Sequence, residues 1–186
     1  MAPPGHQPPP AAPDGAERRS RLRQYQVQLL ERMQAAKSGA VDRSKQLGVL
    51  VGARHCLLDL TQVGEIVALA PIGAVPLARD WYLGLCNLRG NLTGVVDLAR
   101  YRGEAACASG PDSRVVTFAP ALGFNCALLA ERVLGLRQSG QMQAQPDAAA
   151  APAWAARHFV DADGQAWSML DLALLVREAR FLQVGF

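Results

Sequence analysis

Few residues in this chain could carry bond-making chemistry. Its 186 residues include three histidines, four cysteines and 16 carboxylates. His6 falls in a proline-rich stretch, His55 on a strand-like run, and His158 beside a loop. No H-E-x-x-H, G-x-S-x-G, Walker A or dinucleotide-binding pattern occurs in the sequence. Cys56, Cys86, Cys107 and Cys126 form no close pair, so neither zinc-ligand spacing nor a disulfide framework is expected. They read as reduced, mostly buried thiols. Asp97 and Asp171 could pass for paired catalytic carboxylates. Each precedes a leucine and an apolar stretch, where aspartate accepts the free amides of a helix start. Asp161 and Asp163 in Asp-Ala-Asp-Gly share part of a calcium-loop pattern, but no glutamate closes it, so a plain turn is expected. The expectation is no catalytic residue, no metal and no cofactor.

Three residues suit recognition instead. Arg89 ends an apolar run directly before Gly90, and its planar fork fits carboxylates and backbone carbonyls. Val63 and Glu65 are two apart, so on an extended segment they share a face. Such a pair supplies an apolar anchor beside a charge that fixes register. Packing of Val63 into the core is the competing reading.

Short strands must position these groups. Strand signals run over 47–51, over 54–60 and on toward Val67, and over 83–88, 92–96, 114–119, 124–137, 157–160 and 166–170. Pro71 and Pro76 break an arm before Trp81 and Tyr82, which are expected to pack it onto the body. Residues 138–155 read as a long loop, with Trp154 as the tryptophan expected to be exposed. Short helices are expected over 97–102 and 171–182. This pattern indicates a barrel or sandwich. Gly90 to Leu98 echoes Gly164 to Leu172, and Cys56 to Val63 echoes Cys126 to Val133, in the same order. Two related subdomains are expected, about 47–103 and 113–172, each a small barrel.

Charge divides the chain as well. Residues 1–45 hold eight basic and four acidic side chains, whereas the remaining 141 hold eleven and twelve. The body therefore lacks a basic surplus, and no nucleic-acid partner is expected. Residues 1–20 read as a disordered Pro-rich tail, and 21–38 as an amphipathic helix striped by Leu22, Tyr25, Leu29, Leu30 and Met33. The start has no secretory pattern, and no apolar run reaches 18 residues, so a cytoplasmic protein without membrane insertion is expected.

Taken together, WYLGLCNLRGNLTGVVDLARY at 81–101, GARHCLLDLTQVGEIV at 52–67 and DADGQAWSMLDLALL at 161–175 resemble the CheW-like domain of bacterial chemosensory coupling proteins. The resemblance covers about 46–180. It implies a mainly β fold of two SH3-like five-stranded β-barrel subdomains, with an added N-terminal helix and a C-terminal helix. It implies a non-catalytic adaptor that joins methyl-accepting chemoreceptors to a CheA-type histidine kinase, in the cytoplasm at membrane receptor arrays. It places Val63 and Glu65 on a kinase- or receptor-facing surface and makes Arg89 a signalling residue. The Ala- and Cys-rich body with its N-terminal extension is more similar to coupling proteins of type IV pilus (twitching) systems than to the shortest flagellar ones. One departure is Gly94, where the family usually has proline. The rival expectation is a small β-barrel enzyme or ligand-binding domain, which needs a pocket with converging polar groups.

Overall fold

The computed structural model describes residues 45–146 and 151–186. The expected tail at 1–20 and helix at 21–38 lie outside the described residues. Among the described residues twelve strands follow in order: β1 (Lys45–Val51), β2 (Arg54–Asp59), β3 (Val63–Ala68), β4 (Ile72–Gly73), β5 (Tyr82–Leu88), β6 (Asn91–Val96), β7 (Arg114–Phe118), β8 (Cys126–Ala130), β9 (Arg132–Gln138), β10 (Gln143–Gln145), β11 (His158–Val160) and β12 (Ala166–Leu170). Among the described residues, three one-turn α-helices are α1 (Leu98–Tyr101), α2 (Leu172–Leu175) and α3 (Ala179–Leu182).

The strands do not sort by half of the sequence. One six-stranded sheet runs β10-β11-β12-β2-β1-β9, and the other runs β3-β7-β8-β6-β5-β4. If β7 to β12 repeat β1 to β6, both sheets have one order with the two halves exchanged. The parallel pairs make this concrete. Ser168 lies opposite Cys56 between β12 and β2, and Gly94 lies opposite Cys126 between β6 and β8. The two sequence echoes therefore meet each other across the halves. The expected subdomains of 47–103 and 113–172 each contribute to both sheets, so a sheet is not the product of one half. Each sheet orders six strands, where five per barrel were expected.

Side-chain alternation explains the assembly. Leu47, Val49 and Val51 point from β1 into the core. β8 is buried along its whole length between β7 and β6, and its sequence is accordingly a continuous apolar run. Val49, Leu58, Val95, Val116, Leu128 and Leu170, drawn from both sheets, share one core. Burial of each such side chain is worth about 1.5–3 kcal/mol.

The helices repeat one capping device. Asp97 takes the amides of Ala99 and Arg100 at 3.0 and 3.2 Å, and Asp171 takes that of Leu174 at 3.1 Å. The backbone amides of these aspartates donate to the carbonyls of Trp81 and Trp154, each at 2.8 Å. Both tryptophans are also buried, at 2% exposure, with their rings packed against Tyr101 in the core. Trp154 thus corrects the expectation of an exposed ring after a polar loop: it is the second-half counterpart of Trp81. The expected closing helix breaks at Glu178, whose carboxylate accepts the Tyr101 hydroxyl at 2.6 Å. Beyond it, Phe181 fills a nest of Trp81, Tyr101, Phe118 and Phe124.

Three further element boundaries differ from expectation. A turn over 60–62 separates β2 from β3, because the Asp59 carboxylate takes the Thr61 amide and hydroxyl. The run at 124–137 divides into β8 and β9 at Glu131. Within the expected loop, Gln143–Gln145 pairs with β11 as a strand.

Candidate partner-binding surface

Arg89 sits at the tip of the β5–β6 hairpin. Leu88 pairs with Asn91, leaving Arg89 and Gly90 as a two-residue loop. Both have positive φ, +52° and +91°, the signature of a type I′ turn. Gly90 accepts that backbone freely, but an arginine there is strained. The Gly90 amide is held by the Asn87 side chain at 2.8 Å.

The turn aims Arg89 at Glu65. Its Nη1 donates to Glu65 Oε1 at 3.2 Å. Their side chains are 76% and 54% exposed, so the pair sits in solvent. Glu65 lies on β3, an end strand of its sheet, and exposed Ile66 follows it.

The structure thus brings together Glu65 and Arg89, which are 24 residues apart, but separates Val63 from them. Val63 is half-buried, packs against the core and pairs with Phe118. The parity argument fails because β3 is not regular. Val63 lies opposite Phe118 and Ile66 opposite Val116, so Gly64 and Glu65 together face one residue, Thr117. This is a β-bulge, and it breaks the alternation that put Val63 and Glu65 on one face. Sequence reasoning missed Ile66 as the exposed apolar neighbour. The one signal for it was Gly64, since an isolated glycine inside a strand marks a bulge.

The remaining candidates have structural settings. His55 meets Trp167 edge-on with ring centroids 5.1 Å apart, and His158 Nδ1 lies 3.2 Å from Ser168 Oγ. Asp161 organises its turn by taking the Trp167 indole at 2.8 Å and the amides of Asp163 and Gln165. These donors, the indole first, hold its carboxyl below the usual carboxylate range. All four cysteines are buried and unpaired. Burial pushes the thiols of Cys107 and Cys126 up to about 12, with the Asp97 charge adding to the effect at Cys107. Among the described residues, no group of three or more His, Cys, Asp or Glu could hold a metal ion. No helix among them is long and apolar enough to cross a membrane.

Comparison with known proteins agrees with this geometry. Residues 45–180 match the family model for the CheW-like domain. The crystal structure of the scaffolding protein TtCheW from Thermoanaerobacter tengcongensis superposes with a TM-score of 0.62. That match is at 20% sequence identity and covers 74% of this chain and 95% of that one. At this identity it speaks for the fold alone. No curated protein matches the chain. The family model covers residues from β1 to the start of α3, well over half of the chain, and the chain therefore belongs to the CheW-like domain family and is a non-catalytic adaptor of chemosensory signalling.

Proposed function

We propose that this adaptor couples methyl-accepting chemoreceptors to a CheA-type histidine kinase, in cytoplasmic arrays beneath the membrane, and serves type IV pilus twitching motility or chemotaxis. Each six-stranded sheet acts as one SH3-like barrel of the adaptor. The Glu65–Arg89 surface, with Val63 bracing it from below, faces the kinase or receptor. The observation that carries this reading is the cost of holding Arg89 where it is. A non-glycine residue in the left-handed region costs about 1–2 kcal/mol, while an exposed ion pair returns about 0.2–1 kcal/mol. Stability alone gives little reason for the arrangement, and strain of this kind collects where a side chain must be presented.

Titration of the full chain with the chemosensory kinase of its own genome tests the proposal, with receptor cytoplasmic tips as second bait. Saturable binding that is weakened by Glu65→Ala or Arg89→Ala, with cooperative melting retained, supports it. Wild-type binding by both variants would remove the surface from the interface. Loss of cooperative melting in Arg89→Ala would make that arginine structural.

A further inference from the structure

The bulge that presents Glu65 is closed by a side chain from another strand. Thr117 Oγ1 accepts the Glu65 amide at 2.7 Å and donates to the Glu65 carbonyl at 3.3 Å. One hydroxyl thus serves both backbone groups of the residue that carries the charge. Gly64 leaves room for this: a Cβ there would stand 2.6 Å from Thr117 Oγ1 and 3.0 Å from the Phe118 carbonyl.

The other sheet contains its own control. On β9, Val133 pairs with Val49 and Gly135 with Gly48, so Leu134 and Gly135 face the single residue Gly48. This bulge occupies the position equivalent to that in β3, yet Gly48 has no side chain with which to close it. Gly135 relieves it instead by turning to φ +83°. In β3 the matching position is Glu65, whose φ is not positive. A bulge at this place in the fold therefore forms with or without a hydroxyl. The hydroxyl accompanies the case in which a charged residue, and not a left-handed glycine, occupies the bulge.

We propose that Thr117 is a positioning residue for the partner surface: its hydroxyl fixes the backbone of Glu65 so that the carboxylate stands against Arg89. The inference rests on the functional reading of Glu65 and Arg89. It adds a third residue, contributed by the second half of the chain, that touches no partner itself. The Thr117→Val variant keeps the shape and removes the hydroxyl, and Thr117→Ser keeps the hydroxyl. Both are expected to fold, because the freed Glu65 amide is exposed and can bond water.

The test uses the full chain in wild-type, Thr117→Val, Thr117→Ser, Glu65→Ala and Thr117→Val/Glu65→Ala forms. Two readouts are taken: titration with the kinase and hydrogen exchange at the Glu65 amide. Thr117→Val is expected to bind about three- to tenfold more weakly and to exchange the Glu65 amide faster. Serine should restore both, and valine should add nothing once Glu65 is alanine. Wild-type affinity in Thr117→Val, with Glu65→Ala weakened, would overturn this inference and leave the surface reading standing. Wild-type affinity in Glu65→Ala would overturn both. Equal weakening in valine and serine, with loss of cooperative melting, would make Thr117 a packing residue and overturn the inference.

Discussion

Arg89→Asn should stabilise the fold while weakening partner binding. The hairpin needs positive φ at both loop residues, and Arg89 has φ +52°. Asparagine tolerates that region, and Asn-Gly is a favoured type I′ pair. Relief of the arginine strain is worth about 1–2 kcal/mol. Against it stands the ion pair to Glu65. At 3.2 Å two unit charges in water attract by about 1.3 kcal/mol. Side chains exposed to 76% and 54% lose most of this to screening and entropy, leaving about 0.2–1 kcal/mol. The balance lies between no change and about 2 kcal/mol of added stability, a melting-temperature rise of up to roughly 5 °C. Urea unfolding measures the stability, and kinase titration measures the binding, with a loss of tenfold or more expected. A stability loss above about 1 kcal/mol would refute the strain argument, because the guanidinium would then be holding the fold together.

The two helix caps should differ in cost. Asp97 is 1% exposed and also takes the buried Cys107 amide at 2.9 Å, so Asp97→Ala should cost about 3–5 kcal/mol in urea unfolding, against about 1–2 for the more accessible Asp171→Ala. Equal losses would show that burial does not decide the difference. Gly94→Ala places a Cβ 2.9 Å from the Tyr82 hydroxyl and should cost about 1–3 kcal/mol, partly recovered by Tyr82→Leu; no recovery would locate the clash elsewhere. Cys107 and Cys126 stay protonated up to about 12 when folded and ionise near 9 when unfolded. Their contribution is therefore complete below pH 9 and is lost as pH rises toward 12, with a loss on the order of 1 kcal/mol for each thiol by pH 10. A flat urea midpoint between pH 8 and pH 10 would contradict this.

What the sequence disclosed follows from how local each signal is. The Asp-Leu caps were legible because a cap is a short-range device, and both have the expected side-chain bonds. The Asn-Leu-Arg-Gly-Asn turn was legible for the same reason. Pairing between the halves was not. The echo of Cys56 and Cys126 says that two strands are alike, but only the sheets reveal that each pairs in parallel with a strand of the opposite half. The site divided in the same way. Glu65 and Arg89 could be named from type and position, whereas their ion pair required the tertiary fold. Parity puts Val63 and Glu65 on one face, and one extra residue in β3 between Val63 and Ile66 is enough to break that alternation. The polar residues before Trp154 point to an exposed ring, whereas its burial against Tyr101 is a tertiary contact that no local pattern announces.

The exchange of strands between halves bears directly on the adaptor role. An adaptor that passes a small displacement from one partner to another must not absorb it internally. Here β3, which carries Glu65, is held by β7, and β7 belongs to the second half of the sequence. β7 pairs with β8, and β8 pairs with β6, returning the connection to the first half and to the hairpin that carries Arg89. Glu65 and Arg89 are thus joined twice: through solvent by their ion pair and through the sheet by three strand pairings. The shared core behind them is closely packed, and such interiors shift as a whole more readily than they compress. If the proposed surface binds the partner, a push on it is met by both halves of the chain at once. Thr117 lies on that route, since its hydroxyl ties the second-half strand to both backbone groups of Glu65.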